Sequence, residues 1–180
     1  MKNRIPFVVT VMLLLTACSG TSISSDSADI DFNQDVAVIA QGIERFERNT
    51  QKAIDMANSD RNAYADIVAE NQAALDEVEL ATDVFLRHIN QASSRLPKMD
   101  TTESPSESKL LAWANGYKSW VYYQRQAQSI GEKCVTPGQN FTECLLLNFS
   151  KTLEFERLSQ VDLKNAIAGI QDWRKSLGYE

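Results

Sequence analysis

The sequence holds one histidine and three cysteines in 180 residues, and it contains no Cys-x-x-Cys. A metal site built from two or three histidines of one chain is therefore excluded. Any Ser-His-Asp arrangement would have to run through His88, and no nucleophile elbow or other local signature accompanies that residue. Basic charge is also short: 18 Lys and Arg stand against 24 Asp and Glu, a formal net charge of −6. Without a cluster of Lys or Arg the chain cannot neutralise a phosphate backbone, nor bind anionic lipid heads by charge. Proline and glycine number only four and seven, and none falls between Gly42 and Pro97. Strand-period alternation is missing throughout. What remains, 43% hydrophobic and 23% charged residues, is an ordinary globular balance in a length that suits one domain.

The only long apolar run lies near the N-terminus. Lys2 and Arg4 precede Ile5-Pro6-Phe7-Val8-Val9-Thr10-Val11-Met12-Leu13-Leu14-Leu15, which is too short for a permanent membrane span and reads as a signal peptide. Leu15-Thr16-Ala17-Cys18 follows. This box resembles the lipobox of bacterial lipoproteins, with Leu three positions before the cysteine and a small residue just before it. The resemblance covers the leader only; no family is recognised for the rest of the chain. It implies cleavage between Ala17 and Cys18, diacylglycerol on the Cys18 thiol and an acyl group on the new amino terminus. Several acyl chains give stable attachment, whereas one alone binds marginally. Ser19 stands where Asp would signal inner-membrane retention in Gram-negative lipoproteins, so the resemblance implies the outer membrane, facing the periplasm. Loss of Lys2 and Arg4 with the leader takes the formal charge from −6 to −8.

Three segments are expected: a leader over 1–17, a lipidated cysteine with a flexible tether over 18–30, and a helical-bundle domain over 31–180. The tether, Ser19 to Asp29, is polar and of low complexity. A dozen such residues span about 20 Å on average. From Phe32 the apolar residues Phe32, Val36, Ile39, Ile43, Phe46, Thr50, Ala53 and Ala57 alternate steps of four and three, a heptad-like seam that also allows weak self-association through a coiled coil. A broader stripe runs through Tyr64, Ile67, Val68, Asn71, Ala74, Leu75, Val78, Ala81, Phe85, Ile89, Ala92 and Leu96. Asn58-Ser59-Asp60 between them offers stopping and capping chemistry, which favours a hairpin over one continuous helix. Ser104-Pro105-Ser106-Glu107 reads as a capping box with Ser104 as the cap. A third helix then carries Leu110, Trp113, Tyr117, Trp120 and Val121 to about Ile130, where Gly131 ends it. Pro137-Gly138 marks a turn. A fourth helix from Phe141 carries Leu145, Phe149, Leu153, Leu158, Val161, Ala166, Ile167, Ile170, Trp173 and Leu177, with Gly178 suited to its cap. The fold class is all-α, a bundle of about four long amphipathic helices.

Cys134 and Cys144 flank the Pro-Gly turn, and in an oxidising compartment they are expected to form a disulfide that closes one loop. Their spacing is far wider than that of a redox pair. His88 lies at the edge of the second stripe, where a packing role suffices. The acids Glu70, Asp76, Glu77, Glu79 and Asp83, with Glu44 and Glu47 on the first helix, mostly lie off the apolar seams and read as a solvated face. The Glu-x-x-His repeat of dimetal bundles is lacking. Trp113, Tyr117 and Trp120 have core spacing, and Gly116 allows another backbone to approach. Tyr122 falls on the opposite side of the wheel, beside Lys118 and Arg125, and these three form the candidate partner surface, since Tyr and Arg are favoured anchors.

No catalytic set, metal set or cofactor motif is evident, apart from the covalent lipid on Cys18. The expected function is therefore non-enzymatic: a lipid-anchored envelope protein that binds another envelope protein as an assembly, stabilising or pilot-like accessory factor. An immunity or inhibitor lipoprotein that neutralises a periplasm-acting toxin or hydrolase is the alternative, since acidic charge suits a basic target. A peptidoglycan-associated enzyme comes third.

Overall fold

The apolar periodicities resolve into four helices in the computed structural model, which describes residues 30–56, 61–101, 105–136 and 138–176. These are α1 (Phe32–Met56), α2 (Arg61–Ala92), α3 (Glu107–Cys134) and α4 (Phe141–Ser176). No strand occurs among the described residues. The leader, Cys18, the tether to Asp29, Asn58-Ser59-Asp60, Ser104 and the residues from Leu177 onward lie outside them. Consecutive helices pack on one another, α1 on α2, α2 on α3 and α3 on α4. Every pairing is antiparallel, as the cross-contacts show: Asp35 meets His88 and Arg45 meets Glu77, Asp83 meets Lys118 and Asp76 meets Arg125, and Ser119 meets Asp162 and Gln124 meets Ser159. The hairpin of the first two helices is thus formed.

The ends of the helices are set by side chains. Asp31 Oδ1 accepts from the backbone N–H of Asn33 at 2.9 Å and of Gln34 at 3.3 Å, capping α1. At α3 the cap is Ser106, two residues later than the Ser104 expected, with its Oγ accepting from the Lys109 N–H at 3.4 Å. The reason is Asp100, whose carboxylate accepts from the Ser106 N–H at 2.9 Å and pairs with Lys109 at 3.1 Å, anchoring the first turn at Ser106 and leaving Pro105 buried ahead of it. These bonds, the backbone one foremost, hold the Asp100 pKa below its ordinary value. The far end of α3 is also a correction: Gly131 does not stop the helix, which runs on to Cys134. Gly131 is buried under Tyr64 instead, where an added Cβ would stand 2.8 Å from the phenol oxygen.

The core is divided along the bundle. Toward the α2–α3 loop it is apolar, with Ile39, Ile43 and Phe46 of α1, Leu75, Val78, Phe85 and Ile89 of α2, Leu110, Trp113 and Trp120 of α3, and Leu163, Ala166 and Ile170 of α4 in one cluster. Phe46 and Trp120 meet edge to face, centroids 5.2 Å apart. Next comes a broad polar layer, spread over more than one turn, to which every helix contributes: Asn49 of α1, Asn71 of α2, Gln124 and Gln128 of α3 and Ser159 of α4. Asn71 Nδ2 donates to Thr50 Oγ1 at 3.1 Å, and Gln124 Nε2 donates to Ser159 Oγ at 3.0 Å. Beyond that layer the bundle closes on the disulfide Cys134–Cys144, Cα atoms 5.4 Å apart, which ties the last turn of α3 to the first of α4.

The α4 face differs from the expected one. Its core residues are Ser159, Leu163, Ala166 and Ile170, whereas Phe149, Leu153 and Val161 are exposed. The apolar residues in the first half of α4 occur on every side of the helix, so hydrophobicity alone does not choose its rotation.

Replacing Cys134 and Cys144 together with Ser should leave the helices in place but lower stability by about 2.5–3 kcal/mol, the chain-entropy value for a ten-residue loop. Thermal unfolding followed by circular dichroism should show a melting temperature roughly 5–10 °C lower. An unchanged melting temperature would mean that the bridge does not constrain the unfolded chain.

Candidate functional site

Where α3 and α4 run closest, small residues replace large ones. A Cβ on Gly116 would lie 3.0 Å from the Asp162 carbonyl oxygen and 3.1 Å from Ala166 Cβ, and one on Gly169 would collide with Trp113 Nε1. The two helices can approach to this degree only because the side chains are missing. On the outer side of this contact they leave an open groove of about 660 Å³. Ala112, Gly116, Ala166 and Gly169 line it, with the exposed amides Asn115 from α3 and Asn165 from α4. Ser119 donates to Asp162 Oδ2 at 2.5 Å across it. Lys109 marks one end, its ammonium 5.9 Å from the centre of the Trp113 ring.

The groove gives way toward the disulfide end to an aromatic ladder. Tyr122 meets Tyr123 edge to face at 5.2 Å, and Tyr123 stacks on Phe155 at 6.4 Å, so a chain of rings links α3 to α4 on the surface. Tyr122 is 58% exposed, on the outward side as its wheel position requires. Its two expected companions are engaged elsewhere. Lys118 pairs with Asp83 of α2 at 2.9 Å, while Arg125 pairs with Asp76 at 2.7 Å and with Glu79. They bind α3 to α2, on the flank away from the groove. The groove residues Lys109, Asn115, Ser119, Asp162 and Asn165 carry no spacing that sequence reading singled out; Gly116 was the one available signal.

His88 sits where its pattern placed it, half-buried, with Nδ1 2.7 Å from the buried Asp35 carboxylate. This is a polar contact closing the α1–α2 hairpin. The α2 acids are exposed, and four of them serve as ion-pair partners: Glu77 to Arg45 at 3.0 Å, and Asp76, Glu79 and Asp83 to the α3 cations. Among the described residues no group of three His, Cys, Asp or Glu is placed to hold a metal ion, and no helix is long and apolar enough to cross a membrane.

One pair of carboxyls departs from the solvated-face reading. Glu47 of α1 and Glu156 of α4 both have pKa values above the ordinary carboxylate range. Burial is the main cause at each, and the charges of Glu44 and Glu156 add to it at Glu47. Nothing in the sequence marks Glu156, since it becomes buried only through the rotation that α4 adopts.

No protein family, curated protein or solved structure matches the chain.

The carboxyl pair has a pH signature. A carboxyl held more tightly protonated in the folded chain favours folding below its ordinary pKa of 4.5, and that contribution is lost as pH rises through the raised value. Glu156→Gln should therefore stabilise the protein at pH 7, with the advantage shrinking as pH falls toward 4.5. Melting temperatures of both forms across that range would show it, and a variant less stable than the parent at pH 7 would refute it.

Proposed function

We propose that this chain is a non-catalytic, lipid-anchored envelope protein that uses its α3–α4 groove to bind a segment of another envelope protein, as an assembly or stabilising factor. The observation that carries the reading is the groove itself. Its lining of Ala112, Gly116, Ala166 and Gly169 puts no large side chain across the groove. The amides of Asn115 and Asn165, one on each helix, are exposed and can both donate and accept, which matches the alternating N–H and C=O of a polypeptide. Tyr122, at the end of the aromatic ladder, supplies a large amphipathic contact beside it.

Attachment rests on the box Leu15-Thr16-Ala17-Cys18, with two or more acyl chains on Cys18 holding the domain at the outer membrane through a short polar tether. The acidic surface speaks for the alternative, an inhibitor of a basic toxin or hydrolase. It speaks weakly, because Asp76, Glu77, Glu79 and Asp83 are already paired with the chain's own cations.

In cells producing the full chain, photoreactive residues placed at Tyr122 and at Asn165 should capture the same envelope protein. Capture should fail in a Cys18→Ser variant, which should itself leave the membrane fraction while remaining folded. Retention of Cys18→Ser in the membrane would overturn the lipoprotein reading. Adducts to lipid alone, or none at all, would overturn the groove as a docking surface.

A further inference from the structure

The first half of α4 turns a line of large apolar side chains to solvent: Leu146 is 71% exposed, Leu147 76%, Phe149 56% and Leu153 45%. Leu146, Phe149 and Leu153 follow one another at steps of three and four, so they form a single ridge along the helix. Scattered exposed leucines are unremarkable, but a contiguous ridge of this kind signals an interface. It is a different surface from the α3–α4 groove. The heptad-like seam of α1 cannot supply a second such surface, because Ile39, Ile43, Phe46 and Ala53 are buried within the bundle.

Leu146, Phe149 and Leu153 are nearly symmetric about the ridge's midpoint, while Leu147 lies on its flank, outside the pattern. Leu146 and Leu153 lie equally far from the point between Phe149 and Ser150, about 5 Å either way along the axis. Glu143 and Arg157 lie seven residues either side of Ser150, about 10 Å each way. Both are exposed, and among the described residues neither forms an ion pair. Separations of seven and fourteen residues are close to two and four helical turns, so each of these pairs lies near one line parallel to the axis. Apolar residues set about the centre, with opposite charges at the two ends, are self-complementary when turned end for end, as a twofold contact requires.

The geometry points to a second copy of this chain as the occupant: two α4 helices pair antiparallel across a twofold axis at Phe149–Ser150. Leu146 then faces Leu153 of the other copy, the two Phe149 rings meet beside the axis, and Ser150 is small enough to let the helices approach. Glu143 of each copy faces Arg157 of the other, so opposite charges close both ends of the contact. In the parallel arrangement Glu143 would meet Glu143 and Arg157 would meet Arg157, and like charges would oppose it. The contact involves about four turns of one helix, less than the roughly 800 Å² per partner of a standard interface. The dimer is accordingly weak and reversible.

Cross-linking in cells that produce the full chain tests both the occupant and the register. Ser150→Cys should give, on mild oxidation, a species of twice the chain's mass on a non-reducing gel. Lys164→Cys, exposed on the same side of α4 but four turns from the axis, should not. Adding Glu143→Arg to Ser150→Cys should lower the yield several-fold, and adding Arg157→Glu as well should restore it, which simple damage to folding would not allow. No dimer from Ser150→Cys, an adduct of any other mass, or failure of the paired charge exchange to restore the yield would each overturn self-pairing through this face.

Discussion

The contact on which the rest of the architecture depends is the near-touch of α3 and α4 at Gly116 and Gly169. It fixes not only how close the two helices lie but how α4 is rotated about its own axis. Apolar residues in the first half of α4 point in every direction, so a search for maximal burial would find several nearly equivalent rotations. The glycine contact, the Gln124–Ser159 and Ser119–Asp162 hydrogen bonds and the Cys134–Cys144 bridge all act on the same side of α4. Together they select the rotation that buries Ser159, Leu163, Ala166 and Ile170. One choice therefore creates three features at once: the groove, the half-buried Glu156 and the outward ridge of Leu146, Phe149 and Leu153.

Charge is used mainly inside the molecule. The acids of α2 face Arg45 on one flank and Lys118 and Arg125 on the other, so both neighbours of α2 are held by the same sign logic. Exposed pairs of this kind contribute little stability individually. Their larger effect is to favour the native register, in which Lys118 and Arg125 of α3 meet three carboxylates of α2 at once. The Asn71–Thr50 and Gln124–Ser159 hydrogen bonds work in the same direction, since a shifted register would leave these buried amides without them.

How much of this was legible in the sequence differs from helix to helix. For α1 and α2 the stripes are regular, and the residues placed on them are those that the structure buries or half-buries, from Phe32 to Ala53 and from Tyr64 to Leu96. Trp113, Tyr117, Trp120 and Val121 were equally plain, as was the disulfide. The shift of the α3 cap from Ser104 to Ser106 was hidden because it depends on Asp100, a tertiary partner outside the local motif. Gly131 looked like a terminator because a glycine's role in packing against Tyr64 cannot be told from its role in a turn by spacing. The α4 rotation was hidden for the reason already given, and with it the groove and Glu156. Tyr122 was placed correctly on the outside, but Lys118 and Arg125 could not be known to belong to α2 until the helix order was fixed in space.

The division of the core also gives the domain two mechanically different ends. Toward the α2–α3 loop, large apolar side chains from all four helices interlock, so opening that half exposes most of the buried hydrocarbon. Toward the disulfide less apolar surface holds the helices together, and among the described residues neither amide atom of the buried Gln128 has a partner. Local opening free energies follow buried apolar contact, which makes the disulfide end the first to fray. The Cys134–Cys144 bridge sits at that soft end, where a covalent link does what packing does at the other. Reducing the bridge would therefore loosen that tip before the apolar half.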